Sequence, residues 1–93
     1  MSRVLIERRL FDVAKRLRRA REELRVAEEQ LAVLVDAADE ARIRALVSET
    51  PLAQRELAGA QRHADAMGRS RDAAAAEVAE LQAVQDQLLD RLV

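Results

Sequence analysis

Apolar residues recur every seven positions through the first half of the chain, and this repeat constrains the fold more than any other feature. One row consists of Leu10, Leu17, Leu24, Leu31, Ala38 and Ala45, and the other of Ile6, Val13, Ala20, Ala27, Leu34 and Ala41. All twelve positions are apolar. A sustained heptad repeat with alternating steps of three and four residues predicts an α-helix that buries one stripe against another helix in a coiled coil.

The second half of the chain repeats the pattern with two exceptions. Its rows are Ala53, Ala60, Met67, Ala74, Leu81 and Leu88, and Leu57, Ala64, Arg71, Val78, Gln85 and Leu92. Only Arg71 and Gln85 depart from apolar character. Because the heptad phase continues unshifted across residues 68–72, one continuous helix is favoured over a break there, which would give three helices.

The segment between the two halves has the residues of a helix end followed by a helix start. Thr50 is a favourable N-cap, and Pro51 suits the first helical position, where its missing N–H is not needed. Proline also pushes the residue before it out of the α-helical region. We therefore predict a helix over about residues 3–47, a turn over about 48–50 and a second helix over about 51–91.

Folding the chain back at this turn brings the heptad rows of the two halves into register. Leu10 then lies opposite Leu88, and Leu17 opposite Leu81. A short connection between two helices makes an antiparallel hairpin. The sequence thus predicts an all-α fold, an antiparallel two-helix coiled-coil hairpin that forms a single domain over residues 1–93. Two such hairpins could dimerise into a four-helix bundle.

Charge is distributed unevenly along the chain, although the net charge is only −1. Residues 1–25 hold nine basic and four acidic side chains, and residues 26–50 hold two basic and six acidic ones. The predicted fold brings Arg16 toward Glu77 and Arg19 toward Glu80. It also brings an acidic group toward two arginines of the second helix, namely Asp36, Asp39 and Glu40 toward Arg55 and Arg62. Such pairs would oppose slipped and parallel arrangements.

Composition limits the chain to a thin core and a narrow range of chemistry. Aromatic residues make up 1% of the 93 residues, and there is no cysteine, which removes disulfides and thiolate metal sites. No apolar run is long enough to cross a bilayer and no signal-peptide core is present, so we expect a cytoplasmic protein. The preference for arginine over lysine fits a GC-rich bacterial genome.

Catalytic motifs are absent from the sequence. His63 is the only histidine and has no second histidine or cysteine with which to share a metal, so we expect it on the surface. Glycine-rich phosphate loops, nucleophile elbows and HExxH motifs do not occur. We predict a protein that is not an enzyme and that uses no cofactor, metal or small-molecule substrate.

Two surfaces remain as candidates for function. The first is an off-seam apolar set, Val4, Phe11, Ala32, Val35, Leu46 and Leu89, which a protein partner or a second hairpin could cover. The second is a basic patch, Arg8, Arg9, Lys15, Arg16, Arg18, Arg19, Arg21 and Arg25. The favoured hypothesis is an adaptor, spacer or regulatory subunit acting through protein–protein contacts. The alternative is a nucleic-acid-associated factor, or one that binds the transcription or translation machinery, through the basic patch.

Overall fold

A computed structural model describes residues 2–93, and these form two α-helices with no strand. Helix α1 covers Arg3–Ser48, and helix α2 covers Pro51–Leu92. Each predicted helix end lies within one residue of the observed one, and α2 continues through residues 68–72 without a break. The expected all-α antiparallel hairpin is confirmed, and the three-helix alternative is wrong.

Side chains at the helix starts satisfy backbone groups that have no partner within the helix. The Ser2 hydroxyl accepts a hydrogen bond from the Leu5 N–H at 3.2 Å, which caps α1. The Thr50 hydroxyl does the same for the Ala53 N–H at 3.1 Å, as the sequence predicted for the N-cap of α2. Pro51 then occupies the first position of the helix.

Between the helices, Glu49 adopts a left-handed backbone conformation with φ of 50°. Its N–H donates to the Ala45 carbonyl oxygen at 3.1 Å, which satisfies a carbonyl in the last turn of α1. A left-handed residue directly after a helix is the usual way for a chain to leave the helix axis. The turn is therefore built from one strained residue and one capping residue.

Burial follows the heptad rows. All eleven buried hydrophobic residues occupy row positions, and every other row position is at least partly buried. Leu17 and Ala20 pack in one cluster with Val78 and Leu81. A second cluster joins both termini of the hairpin, with Ile6, Leu10, Val13, Val84, Leu88 and Leu92. These clusters contain the pairs that the predicted register placed opposite each other.

The described residues divide into two compact units. The terminal unit contains residues 2–25 with Ala73–Val93, and the turn unit contains Val26–Asp72. Both core clusters of large side chains belong to the terminal unit. The predicted single domain over residues 1–93 includes residue 1, outside the described range, and stays a prediction.

Candidate interaction surface

The seam of the turn unit is less completely buried than that of the terminal unit. Its fully buried residues are all alanines, Ala38, Ala41, Ala45, Ala53 and Ala64. The larger seam residues Leu31, Leu34 and Met67 are only partly buried. The two helices alone therefore leave part of each of these side chains in contact with solvent. Apolar surface therefore remains accessible along this part of the hairpin.

Two open grooves flank the seam of the turn unit. One has a volume of about 510 Å³ and is lined by Glu29, Gln30, Val33, Leu34 and Met67. The other has a volume of about 420 Å³ and is lined by Glu28, Leu31, Ala32, Val35, Asp36 and Arg71. We call the second one the Arg71 groove. Both grooves have aliphatic floors with acidic residues among their lining, a character that suits packing of another helix.

Arg71 occupies a row position that the heptad pattern reserves for an apolar side chain. Its Nε lies 3.2 Å from an Asp72 carboxylate oxygen. The geometry is not that of a hydrogen bond, so the buried Nε lacks a hydrogen-bond acceptor in the chain. The arginine thus interrupts the apolar seam and opens the groove beside it.

All six residues of the predicted apolar set are exposed. Phe11 has 74% of its surface exposed, and Val4, Leu46 and Leu89 also face solvent. The structure brings Ala32 and Val35 together in the Arg71 groove. Val4, Phe11 and Leu89 belong to the terminal unit, while Leu46 belongs to the turn unit, so the set does not form one continuous strip within a single unit.

Sequence reasoning missed several aliphatic side chains that the structure exposes. These are Leu5, Val26, Val33, Ile43, Val47 and Leu52, of which Val47 is 80% and Val33 67% exposed. All six lie outside the heptad rows, so their position in the repeat was the signal that could have found them. Ile43, Val47 and Leu52 lie near the turn in sequence and add to the apolar surface of the turn unit.

Two glutamines of α2 accept hydrogen bonds from arginines of α1. Arg21 donates a hydrogen bond to the Gln82 side-chain oxygen at 2.7 Å, and Arg42 donates to Gln61 at 3.4 Å. Both bonds run between the two helices, the first within the terminal unit and the second within the turn unit. Each contact links α1 to α2 within its own unit.

All eight residues of the basic patch are exposed. Arg25 pairs with Glu22, and hydrogen bonding by the Arg25 guanidinium lowers the pKa of the Glu22 carboxyl. Arg16 and Arg19 line a small crevice of about 110 Å³ together with Glu23 and Glu77. The expected approach of Arg16 to Glu77 is thus present, although within the described chain neither Arg16 nor Arg19 forms an ion pair.

The acidic residues of the turn unit pair differently from the expectation. Asp39 forms an ion pair with Arg42, one turn later on the same helix, at 3.1 Å. In the part of the chain that the structure describes, Asp36 and Glu40 form no ion pair with Arg55 or Arg62. The cause is geometric, since all four of these side chains are exposed and lie off the seam.

A metal or membrane site finds no support in the described geometry. Over residues 2–93, no group of three or more His, Cys, Asp or Glu side chains is placed to hold a metal ion. His63 is exposed, as expected. Neither described helix combines the length and apolar character needed to span a bilayer.

Comparison with protein-family models, curated proteins and solved structures finds no match for this chain.

Proposed function

We propose that this chain is a non-enzymatic coiled-coil interaction protein that acts as an adaptor, spacer or regulatory subunit in the cytoplasm. The observation that carries the proposal is the exposed apolar surface, which includes Phe11, Val33 and Val47. Exposed side chains of this size gain free energy when a partner removes them from water, by about 25 cal/mol for each Å² buried. Their concentration on a two-helix scaffold favours binding of other helices.

Charge substitution at the exposed apolar positions tests this proposal. The variant Phe11→Glu/Val33→Glu/Val47→Glu places three carboxylates on side chains that are mostly exposed, so we expect the hairpin to keep its helicity. Quantitative pull-down from the native host and light scattering of the purified protein should both show loss of protein contacts. We expect contacts to be lost because a buried carboxylate without a partner is unfavourable.

A control adds two negative charges without removing apolar surface. Gln54→Glu/Gln87→Glu changes two exposed polar residues, and it should keep the contacts of the wild-type chain. Circular dichroism checks that both variants retain their helices. If the apolar variant and the control both behave like wild type in every contact assay, the proposal is wrong.

The basic patch supports a second candidate, a factor that binds nucleic acid. Five of its eight members form no ion pair or hydrogen bond within the described residues, namely Arg8, Lys15, Arg16, Arg18 and Arg19. Five phosphate contacts would release about as many counterions, so raising salt from about 50 to about 200 mM should weaken binding to duplex DNA by about five-hundredfold. Fluorescence anisotropy with duplex DNA and RNA measures this slope. A flat salt response, or no binding at low salt, would exclude the candidate.

A further inference from the structure

The Arg71 groove has an apolar floor and an acidic rim. Leu31, Ala32 and Val35 provide the aliphatic surface, and Glu28 and Asp36 lie at its two ends along α1. These two carboxylates are eight residues apart, which places them about 12 Å apart along the helix. Neither forms an ion pair within the described residues. The groove therefore presents two unpaired carboxylates at a defined spacing beside a half-buried leucine and an exposed valine, with Arg71 as the cation among its lining residues.

Gly68 lies in the middle of α2 in the same unit, and the chain itself does not require a glycine there. A Cβ atom built on Gly68 would meet nothing within 4 Å. Glycine is among the poorest helix formers, so at this position it weakens α2 with no compensating contact inside the molecule. A missing side chain on an open helix face permits close approach of another helix.

Two exposed arginines of α2 precede and follow Gly68 in the sequence. Arg62 and Arg69 are both exposed, and neither forms an ion pair within the described part of the chain. They are seven residues apart, or about 10 Å along the helix, which is close to the spacing of the two carboxylates on the groove rim. With Gly68 opposite Ala32 in an antiparallel pairing, Arg62 and Arg69 lie about 3 and 4.5 Å along the axis from the positions opposite the two carboxylates, a gap that an arginine side chain spans.

The α1 and α2 segments of the turn unit carry net charges of opposite sign. The α1 segment, residues 26–48, holds five acidic and two basic side chains. The α2 segment, residues 51–72, holds four basic and three acidic ones. Packing α1 of one chain against α2 of another therefore joins an acidic surface to a basic one. Packing α1 against a second α1 would place acidic surfaces together.

We propose that the Arg71 groove binds α2 of a second copy of this chain. In this pairing Ala32 packs against Gly68 of the partner subunit. Asp36 lies beside Arg62 of the partner subunit, and Glu28 lies beside Arg69 of the partner subunit. A two-fold axis repeats every contact, so each subunit supplies one groove and one glycine edge. The inference rests on the proposed function as an interaction protein and names its partner.

Charge reversal on each side of the contact gives a direct test. Glu28→Arg/Asp36→Arg reverses the groove, and Arg62→Glu/Arg69→Glu reverses the edge that enters it. Each variant alone places like charges together at both symmetric contacts. We expect each to weaken self-association, measured by sedimentation equilibrium, by about tenfold or more. The control Arg44→Glu/Glu56→Arg reverses two exposed charges elsewhere in the unit and should leave self-association unchanged.

Mixing the two reversed variants makes the test specific for this geometry. In the mixed dimer, the reversed groove meets the reversed edge, and the two unaltered surfaces meet each other. We therefore expect a heterodimer of about wild-type affinity from two chains that do not self-associate. A single chain carrying all four reversals should also dimerise. No restoration in either case would overturn the proposed contact, provided that circular dichroism shows intact helices.

Gly68→Leu tests the close approach of the backbones. The new side chain meets open space within its own chain, so the hairpin should fold, whereas self-association should fall by about tenfold or more. Ala83→Leu is the control, since it enlarges an exposed small residue of α2 in the terminal unit, away from the groove and its arginines, and should leave dimerisation intact. Equal self-association of the two variants would contradict the proposal.

The outcome also separates this inference from the proposed function. A wild-type chain that stays monomeric up to its solubility limit overturns the second copy as the occupant of the groove. If such a monomer still binds another protein and loses that binding in the Phe11→Glu/Val33→Glu/Val47→Glu variant, the function as an interaction protein stands. If it binds nothing through those residues, both proposals fall.

Discussion

At the scale of single residues, position in the heptad decides how much a large apolar side chain contributes to folding. Leu17 is 2% exposed and packs with Ala20, Val78 and Leu81. Phe11 is larger but 74% exposed, so most of its surface stays in water in the folded state. The smaller side chain therefore stabilises the hairpin more than the only aromatic residue does.

Leu17→Ala should lower the free energy of unfolding by about 3 kcal/mol, since it removes buried surface and leaves a cavity between the helices. Phe11→Ala should change it by less than about 1 kcal/mol. Urea denaturation followed by circular dichroism measures both values. Comparable decreases in the free energy of unfolding for the two variants would contradict the burial of Leu17 in the terminal unit.

The Glu22–Arg25 pair gives a prediction about pH. Hydrogen bonding from Arg25, reinforced by its charge, lowers the pKa of the Glu22 carboxyl in the folded protein. A lowered folded-state pKa stabilises the protein above the ordinary glutamate range, and that contribution is lost as pH falls through the lowered pKa. Arg25→Gln should raise the pKa of Glu22 toward its ordinary value. Carboxyl-resolved NMR titration of both proteins measures the change, and an unaltered pKa would contradict the assignment.

At the scale of elements, the ends of the helices depend on single side chains and on one backbone conformation. Thr50 and Pro51 start α2 as their residue types lead one to expect. Glu49 is different, because residues with a Cβ atom are disfavoured at positive φ, and glycine is the usual occupant of this place after a helix. The chain thus holds a strained residue at its turn.

Glu49→Gly should increase the free energy of unfolding by about 0.5–1 kcal/mol, because it relieves the left-handed strain by more than the entropy that glycine adds to the unfolded chain. Glu49→Ala is the control, since it removes the carboxylate but keeps the Cβ atom and should give no such gain. Thermal unfolding of the three proteins measures the difference. Equal stability of the glycine and alanine variants would count against strain at this residue.

At the scale of the whole molecule, the antiparallel pairing of α1 and α2 sets which residues meet. Leu17 and Leu81 lie in one core cluster although they are far apart in sequence. A chain without cysteine is suited to testing such a pair, since two introduced thiols have no competitors. The same pairing decides which side chains face solvent and so which surfaces are free to bind.

Leu17→Cys/Leu81→Cys should form an intramolecular disulfide under mild oxidation, because residues in contact across the seam can reach disulfide distance with little backbone movement. Phe11→Cys/Leu81→Cys is the control, with one thiol on the exposed face, and should close far more slowly. Electrophoresis without reductant distinguishes monomeric from cross-linked dimeric products. Mainly dimeric product from the first variant, or equal closure of the two, would contradict the hairpin register.

Local patterns in the sequence were sufficient to predict the helices, the turn and the register of the seam. Heptad rows such as Leu10–Leu17–Leu24 and the Thr50-Pro51 start signal act over a few residues or along one helix face, so they can be read without knowing the rest of the fold. The apolar set was also predicted correctly as exposed, because its members lie outside the rows. Its role in binding stays a prediction.

Tertiary packing alone decided how deeply each row residue is buried and which charges find partners. Leu31, Leu34 and Met67 have the same heptad positions as buried residues elsewhere, yet the packing of the two helices leaves them partly exposed. Asp39 pairs with Arg42 on its own helix, since off-seam side chains reach neighbours one turn away more readily than the facing helix. The Arg71 groove is lined by residues of both helices, so no single stretch of sequence contains it.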